Sequence, residues 1–163
     1  MPPKVNLAAT FEPELIQEIN ELENVDIPIG TTLLKEHEYV KAVPIVLEGS
    51  VKLRKLDPTG REIIFYHLEA GESCILSITS CLNEKQSQAE AIAEKNTRVI
   101  LISADKVRAW LDMYPTWRKF VMKLYYDRMA VMMELVDNVL FKSLDTRLVQ
   151  YLKKNAVDNQ LEV

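Results

Sequence analysis

Glycine is scarce in this chain of 163 residues. There are four, Gly30, Gly49, Gly60 and Gly71, and the 92 residues after Gly71 contain none. Glycine serves turns that need positive φ. Residues 30–71 therefore read as a turn-rich, β-like region, and the chain beyond Gly71 as increasingly helical. Cysteine and histidine number two each. Two cysteines make no disulfide framework, so the cytosol is the expected compartment, and they cannot alone supply the roughly four ligands of an iron–sulfur cluster. Long apolar runs are missing too. The longest uninterrupted one, Met129-Ala130-Val131-Met132-Met133, falls far short of the roughly 18 residues of a membrane span, and no membrane partner is expected. The start, Met1-Pro2-Pro3-Lys4-Val5-Asn6, lacks the apolar core of a secretion signal. No P-loop, Gly-x-Gly-x-x-Gly, Gly-x-Ser-x-Gly or His-Glu-x-x-His motif occurs, so no enzymatic activity is expected.

The bulk of the chain is ordinary globular material, 48% apolar and 27% charged, and long enough to bury a core without disulfide or metal staples. Lys and Arg total 20 against 24 Asp and Glu. The excess of acid lies before residue 100, where the net is −6; residues 101–163 carry +2. Neither part has the basic excess of a stand-alone nucleic-acid binder.

The glycine-bearing region divides into strands. Thr31–Leu34 comes after the Pro28/Gly30 break. Tyr39–Leu47 is rich in Val and Ile, and its Pro44 marks an edge or a bulge. Ser50–Leu56 alternates apolar with polar, as a half-buried strand does. Asp57-Pro58-Thr59-Gly60 is a turn, and Arg61–Leu68 returns, so residues 50–68 predict a hairpin. Ala89–Ala93 and Thr97–Ile102 predict another pair. Short strands at this spacing predict an antiparallel sandwich or barrel. Helices flank it. Phe11, Leu15, Ile19 and Leu22 share one helical face, and Ser103 caps a short helix carrying Val107, Trp110 and Leu111, which Pro115 ends or bends.

Residues 116–140 predict a long helix. Met122, Tyr125, Met129, Met132, Val136 and Val139 recur in a heptad-like seam, while Trp117, Phe120, Val121, Leu124, Val131 and Leu135 lie on another face. One stripe docks the helix on its own domain. The second predicts a homodimer, with the seam as its interface, against the alternative of a helix buried on both sides within one domain. After Phe141-Lys142, Ser143 predicts a further cap and a helix with Leu144, Leu148, Tyr151 and Leu152 on one face. Leu161-Glu162-Val163 reads as a strand that stops as it starts, and the chain is expected to end inside a domain.

In order and spacing these segments resemble the Crp–Fnr family of bacterial transcription regulators. Ile45-Val46-Leu47-Glu48-Gly49-Ser50-Val51-Lys52-Leu53 is similar to that family's strand, Gly turn and second strand. Asp57-Pro58-Thr59-Gly60-Arg61-Glu62 matches the next hairpin, and Leu68-Glu69-Ala70-Gly71-Glu72 the turn after it. The helix through Arg128, Asn138, Phe141 and Asp145 resembles the family's dimerisation helix and hinge. The resemblance implies a mainly β fold with flanking helices, an antiparallel β-roll of the cyclic-nucleotide-binding type. It divides the chain into a sensor over 1–114, a dimerisation helix over 115–141, and over 142–163 the hinge and start of a winged helix-turn-helix domain that would contact DNA. RNA polymerase is a further partner of this sensor surface in some relatives.

In cyclic-nucleotide readers of this family, a Glu after the Gly turn holds the ribose, and an Arg-Ser or Arg-Thr pairs with the phosphate. Here the first stretch reads Cys74-Ile75-Leu76-Ser77 and the second Gln86-Ser87-Gln88-Ala89, with no arginine between Arg61 and Arg98. The adenine-contacting Thr-Ser positions of the long helix align with Met132-Met133. The resemblance thus implies an effector pocket at Gly71, Cys74, Leu76, Ser77, Cys81, Ser87, Gln88, Met132 and Met133 that does not take cyclic AMP; its effector is unidentified. Cys74 and Cys81 read either as a thiol or metal sensor or, preferably, as two small buried hydrophobes. The hydroxyls of Ser73, Ser77, Thr79 and Ser80 either bind a polar effector or line a turn-rich surface. His37 and His67 fall on separate segments, so no metal site and no cofactor are expected. That also disfavours the alternative of a cupin-like metal-binding barrel enzyme. Lys52, Arg54 and Lys55 form a basic strip that reads as a solvated strand face.

Overall fold

A computed structural model describes the backbone of residues 5–158 and the side chains of residues 5–140 and of Val149. The expected strand at Leu161–Val163 and the side chains of Phe141, Leu144, Leu148, Tyr151 and Leu152 lie outside the described residues. The chain divides into two units, before and after the Leu124–Tyr125 bond.

The first unit holds seven described strands: β1 (Asn24–Ile27), β2 (Thr32–Leu34), β3 (Ala42–Glu48), β4 (Val51–Leu56), β5 (Glu62–Leu68), β6 (Glu90–Ala93) and β7 (Thr97–Ser103). They form two antiparallel sheets, ordered β1-β7-β3 and β2-β6-β4-β5. The β4–β5 hairpin stands as expected, with Val51 opposite Leu68 and Leu56 opposite Glu62. Its turn is held by Asp57, whose carboxylate accepts from the Thr59 and Arg61 amides. Pro44 lies on an edge strand, β3, which also shifts register between Val46 and Glu48.

The expected pairing of the last two strands needs correction. β6 and β7 do not pair with each other; β6 lies between β2 and β4, and β7 between β1 and β3. The three residues between them carry the chain from one sheet to the other, so neighbours in sequence are partners of different layers. Residues 75–83, which carry no readable pattern, form a helix, α2 (Ile75–Asn83), which packs beside α3 (Ala104–Met113); α1 (Pro13–Asn20) precedes the strands. Ser103 caps α3 through the Lys106 amide, and Pro115 opens the long helix α4 (Pro115–Asp158). The backbone of α4 is helical straight through Ser143, where the sequence predicts a new helix. No Gly or Pro occurs after Pro115, so nothing there forces a break.

The interior has two parts. Val46, Val51, Leu53, Leu68, Cys74, Ala91 and Val99 fill the space between the sheets. The larger cluster joins α1, α2, α3 and the first turns of α4 to the sheet through Leu15, Ile19, Ile78, Trp110 and Trp117. There the Trp110 and Trp117 rings meet edge to face at 5.4 Å, and Phe11 packs on Phe120 at 5.1 Å. On α4, Trp117, Phe120, Val121 and Leu124 are buried, whereas Met122, Tyr125, Met129, Met132, Val136 and Val139 are exposed. Val131 and Leu135, grouped by periodicity with the buried set, are exposed as well.

Candidate functional site: the groove along α2

α2 is built from poor helix formers, with Ile, Thr and Ser prominent. Tertiary contacts hold it: Ile75, Ile78 and Cys81 are buried in the core. Its start is sealed from within. Cys74 is the cap, its Sγ accepting from the Ser77 amide at 3.3 Å and its carbonyl from the Ile78 amide at 3.0 Å. The Leu76 amide points to the Tyr66 hydroxyl at 3.5 Å, and that hydroxyl lies 3.5 Å from Cys74 Sγ. Ser73, the more usual capping type, is engaged elsewhere, donating to the Pro44 carbonyl at 2.7 Å. Before it, Gly71 (φ +92) donates its amide to the Val46 carbonyl, so the turn is stitched to the edge of β3.

The far end closes differently. Glu84 takes the left-handed conformation (φ 52) and donates its amide to the Ser80 carbonyl, which the Lys85 amide also reaches. Arg108 donates to the Cys81 carbonyl from both Nε (3.2 Å) and Nη2 (3.1 Å). The chain then runs past a turn in which His37 is left-handed (φ 66). The Ser87 amide donates to the Glu38 carbonyl, and the His37 amide to the Ser87 carbonyl, each at 2.8 Å. Ser87 is buried and folds its hydroxyl onto the Ala89 carbonyl.

Between α2 and this segment lies an open groove of about 300 Å³, lined by Leu76, Thr79, Ser80, Asn83, Lys85, Gln86 and Gln88. Of the expected effector-pocket residues, the structure brings Leu76 and Gln88 to this groove. Cys74, Ser77, Cys81 and Ser87 lie buried in the core, and Gly71 serves its turn. Met132 and Met133 are exposed on the second unit, and every residue lining the groove belongs to the first. Thr79 and Ser80 come from the hydroxyl cluster that the sequence offers as a polar effector site. Asn83 and Lys85 are beyond the reach of sequence reasoning: Asn83 continues α2's outward face at helical spacing from Leu76, and Lys85, past the helix end, carries no such signal.

The groove contains one cation, Lys85, and no arginine. Both cysteines are free and buried. Burial pushes the Cys81 thiol up, against a smaller opposing pull from Arg108, which favours the small-hydrophobe reading over a reactive thiol. Among the described residues no group of three or more His, Cys, Asp or Glu side chains is placed to hold a metal. The basic strip is neutralised: Lys52 and Arg54 pair with Glu62, Arg54 also with Glu90, and Lys55 with Glu36. No described helix is long and apolar enough to cross a membrane.

Two antiparallel sheets, a capped helix inserted after a Gly turn and a long helix after the sheets make up a β-roll. Residues 25–114 match the family model described as cyclic nucleotide-binding domain. The chain belongs to that family, and its fold is the one found in Crp–Fnr regulators. It is similar to a protein from Eubacterium rectale assigned to the Crp/Fnr family of transcriptional regulators, with 22% identity and a TM-score of 0.70 over 95% of this chain and 73% of that one. It is similar to the Catabolite Activator Protein of Thermus thermophilus, with 21% identity and a TM-score of 0.67 over 80% of this chain and 61% of that one. The c-di-GMP-responsive global regulator CLP of Xanthomonas campestris matches at 14% identity and a TM-score of 0.69, over 90% and 70%. This chain therefore spans about 61% of the Thermus protein's length. No curated protein sequence matches it.

Proposed function

We propose that this chain is the effector-sensing and dimerisation region of a DNA-binding transcription regulator of the Crp–Fnr type, and that its effector is not cyclic AMP. Residues 1–114 sense, residues 115–141 form the dimer spine, and residues 142–163 lead into the DNA-reading part of the full-length protein. The reading places the chain in the cytoplasm, without catalytic activity.

The observation that carries the non-cyclic-AMP reading is the lining of the groove. A phosphate held in a protein site needs a cation in fixed geometry or converging amides, and arginine supplies the bidentate match. This groove offers a single exposed lysine on a flexible stem, and its lining holds no acid to take a ribose hydroxyl. A fold relative described as c-di-GMP-responsive supports the view that the same roll accepts different ligands. The proposed mechanism is a shift in equilibrium: an effector that favours one arrangement of the paired helices moves the DNA-reading parts with them.

A second reading is a constitutive regulator with a vestigial pocket, favoured by the burial of Cys74, Ser77, Cys81 and Ser87 away from the groove. A thermal-shift screen of cyclic nucleotides, oxoanions, haem and reductants tests both. Stabilisation by cyclic AMP at micromolar concentration overturns the main reading, and no response to any small molecule favours the vestigial one.

A further inference from the structure

We propose that the groove along α2 takes an uncharged ring polyol, a free monosaccharide or nucleoside, rather than an anion; this rests on the reading of the groove as the sensor site. Anions settle at helix N-termini because unpaired amides converge there and the helix dipole is positive. In α2 the orphan amides of Leu76 and Ser77 are directed to the Tyr66 hydroxyl and Cys74 Sγ, and the Ile78 amide makes the helix's first backbone bond. The groove instead runs down the helix from Leu76 to Asn83, the last helical residue, and continues over 85–88. It thus ends where the dipole is negative. Lys85 lies just past that end, and a cation there offsets the carbonyl partial charge. Among the described residues no carboxylate forms an ion pair with Lys85, and its side chain is exposed.

The remaining polar lining is neutral, and much of its hydrogen-bonding capacity is unspent. Thr79 turns its hydroxyl proton back to the Ile75 and Leu76 carbonyls, at 2.9 and 3.0 Å, leaving its oxygen as an acceptor. Asn83 donates to the Thr79 carbonyl at 2.9 Å, which fixes its amide plane and leaves its side-chain carbonyl to accept. Among the described residues the side chains of Ser80, Gln86 and Gln88 have no protein partner. Side-chain amides present a donor and an acceptor side by side, which matches two adjacent ring hydroxyls, each donor and acceptor at once. Leu76 supplies the one apolar wall against a ring face.

Saturation-transfer NMR on the whole chain tests this, with glucose, ribose, adenosine and uridine as uncharged probes and acetate, inorganic phosphate and cyclic AMP as charged ones. At least one uncharged probe is expected to bind. Its affinity should fall about tenfold in Asn83→Ala or Gln88→Ala, from loss of about one hydrogen bond. It should change less than about twofold between about 0.05 and 0.5 M salt, because no charge pair is screened. Binding by acetate or phosphate alone, lost with salt and in Lys85→Met, overturns the uncharged-ligand inference while leaving the sensor reading standing. Tight cyclic AMP binding overturns both. Silence from every uncharged probe on folded protein, judged by its unchanged methyl spectrum, overturns the inference.

Discussion

Glu18 on α1 and Tyr114 at the α3–α4 junction stand 96 residues apart in sequence and share a hydrogen bond of 2.6 Å, Tyr114 donating. The same carboxylate accepts from Lys106 Nζ at 2.7 Å and Trp110 Nε1 at 2.9 Å. Three donors from α3 and its end thus converge on one acid of the N-terminal helix. Beside it, Glu12 and Thr116 join the start of α1 to the first turn of α4, the Thr116 amide and hydroxyl both donating to the Glu12 carboxylate. The root of the long helix is set by these two acids as well as by the tryptophan cluster.

Glu18→Ala is expected to lower stability by about 1–2 kcal/mol, because it removes charged hydrogen bonds that are partly solvent-screened and leaves the buried Trp110 N–H without its acceptor. Urea unfolding followed by tryptophan fluorescence measures this. An unchanged midpoint would show that the three contacts are idle.

The same acid sets a pH dependence. Its hydrogen bonds from Lys106, Tyr114 and Trp110 hold Glu18 down to about 2, against an ordinary value of 4.5. The unfolded chain therefore binds a proton there at higher pH than the folded chain does. The stabilisation is complete above pH 4.5 and disappears as pH falls towards 2. Tyr114 carries the opposite sign, pushed up to about 12 by the same partner, so its neutral form favours the fold until pH passes its ordinary value of 10. Acid titration of stability in Glu18→Gln should be flatter than wild type between pH 4.5 and 2; parallel curves would refute the assignment.

Gly49 and Gly60 separate two causes of glycine dependence. Both have positive φ, +90 and +84, but a Cβ at Gly49 would lie 2.5 Å from Thr97 Oγ1 and 2.6 Å from the Asn96 carbonyl, while one at Gly60 meets nothing within 4 Å. Gly60→Ala should cost about 1–2 kcal/mol from backbone strain alone. Gly49→Ala should cost about 3 kcal/mol or more, since strain and overpacking add. Equal midpoints in thermal unfolding would show that the β3–β4 turn gives way freely.

The β4–β5 hairpin, the edge position of Pro44 and the exposed seam on α4 are all legible in the residues, because each rests on a local rule of period or turn chemistry. β1 is not: its four residues carry no turn of their own and are held by pairing with β7. α2 is hidden by its composition, since Ile, Ser and Thr favour other structures and its cap is a cysteine. The fates of β6 and β7 depend on the closure of two sheets, which adjacent strands do not encode. The site obeys the same division. The resemblance implies a pocket after Gly71, but which of Cys74, Leu76, Ser77, Cys81, Ser87 and Gln88 reach the groove depends on how a helix is rotated against the core.

Cys74 and Cys81 provide a check on the thiol question. Both are almost wholly buried, at 1% and 2% exposure. Native protein should react with a disulfide reagent such as Ellman's only at the rate at which the roll opens, and both thiols should react at once in denaturant. Fast stoichiometric reaction of either under native conditions would restore a redox role.

The seam on α4 yields the most direct test of the proposed dimer. Met129 and Met132 are 58% and 66% exposed in the single chain, and with Met122, Tyr125, Val136 and Val139 they form a regularly spaced apolar stripe along α4. Unpartnered, so long a stripe exposes more apolar surface than isolated side chains do, and a second copy is the partner whose seam has the same spacing. Met129→Glu together with Met132→Glu would set four like charges against one another across a two-fold axis, where they can be neither paired nor hydrated. The double variant is expected to run as a monomer in light scattering at micromolar concentration. Its β-roll should stay folded, because the buried anchors Trp117, Phe120, Val121 and Leu124 are on the other face. A dimer mass retained in that variant would place the interface elsewhere.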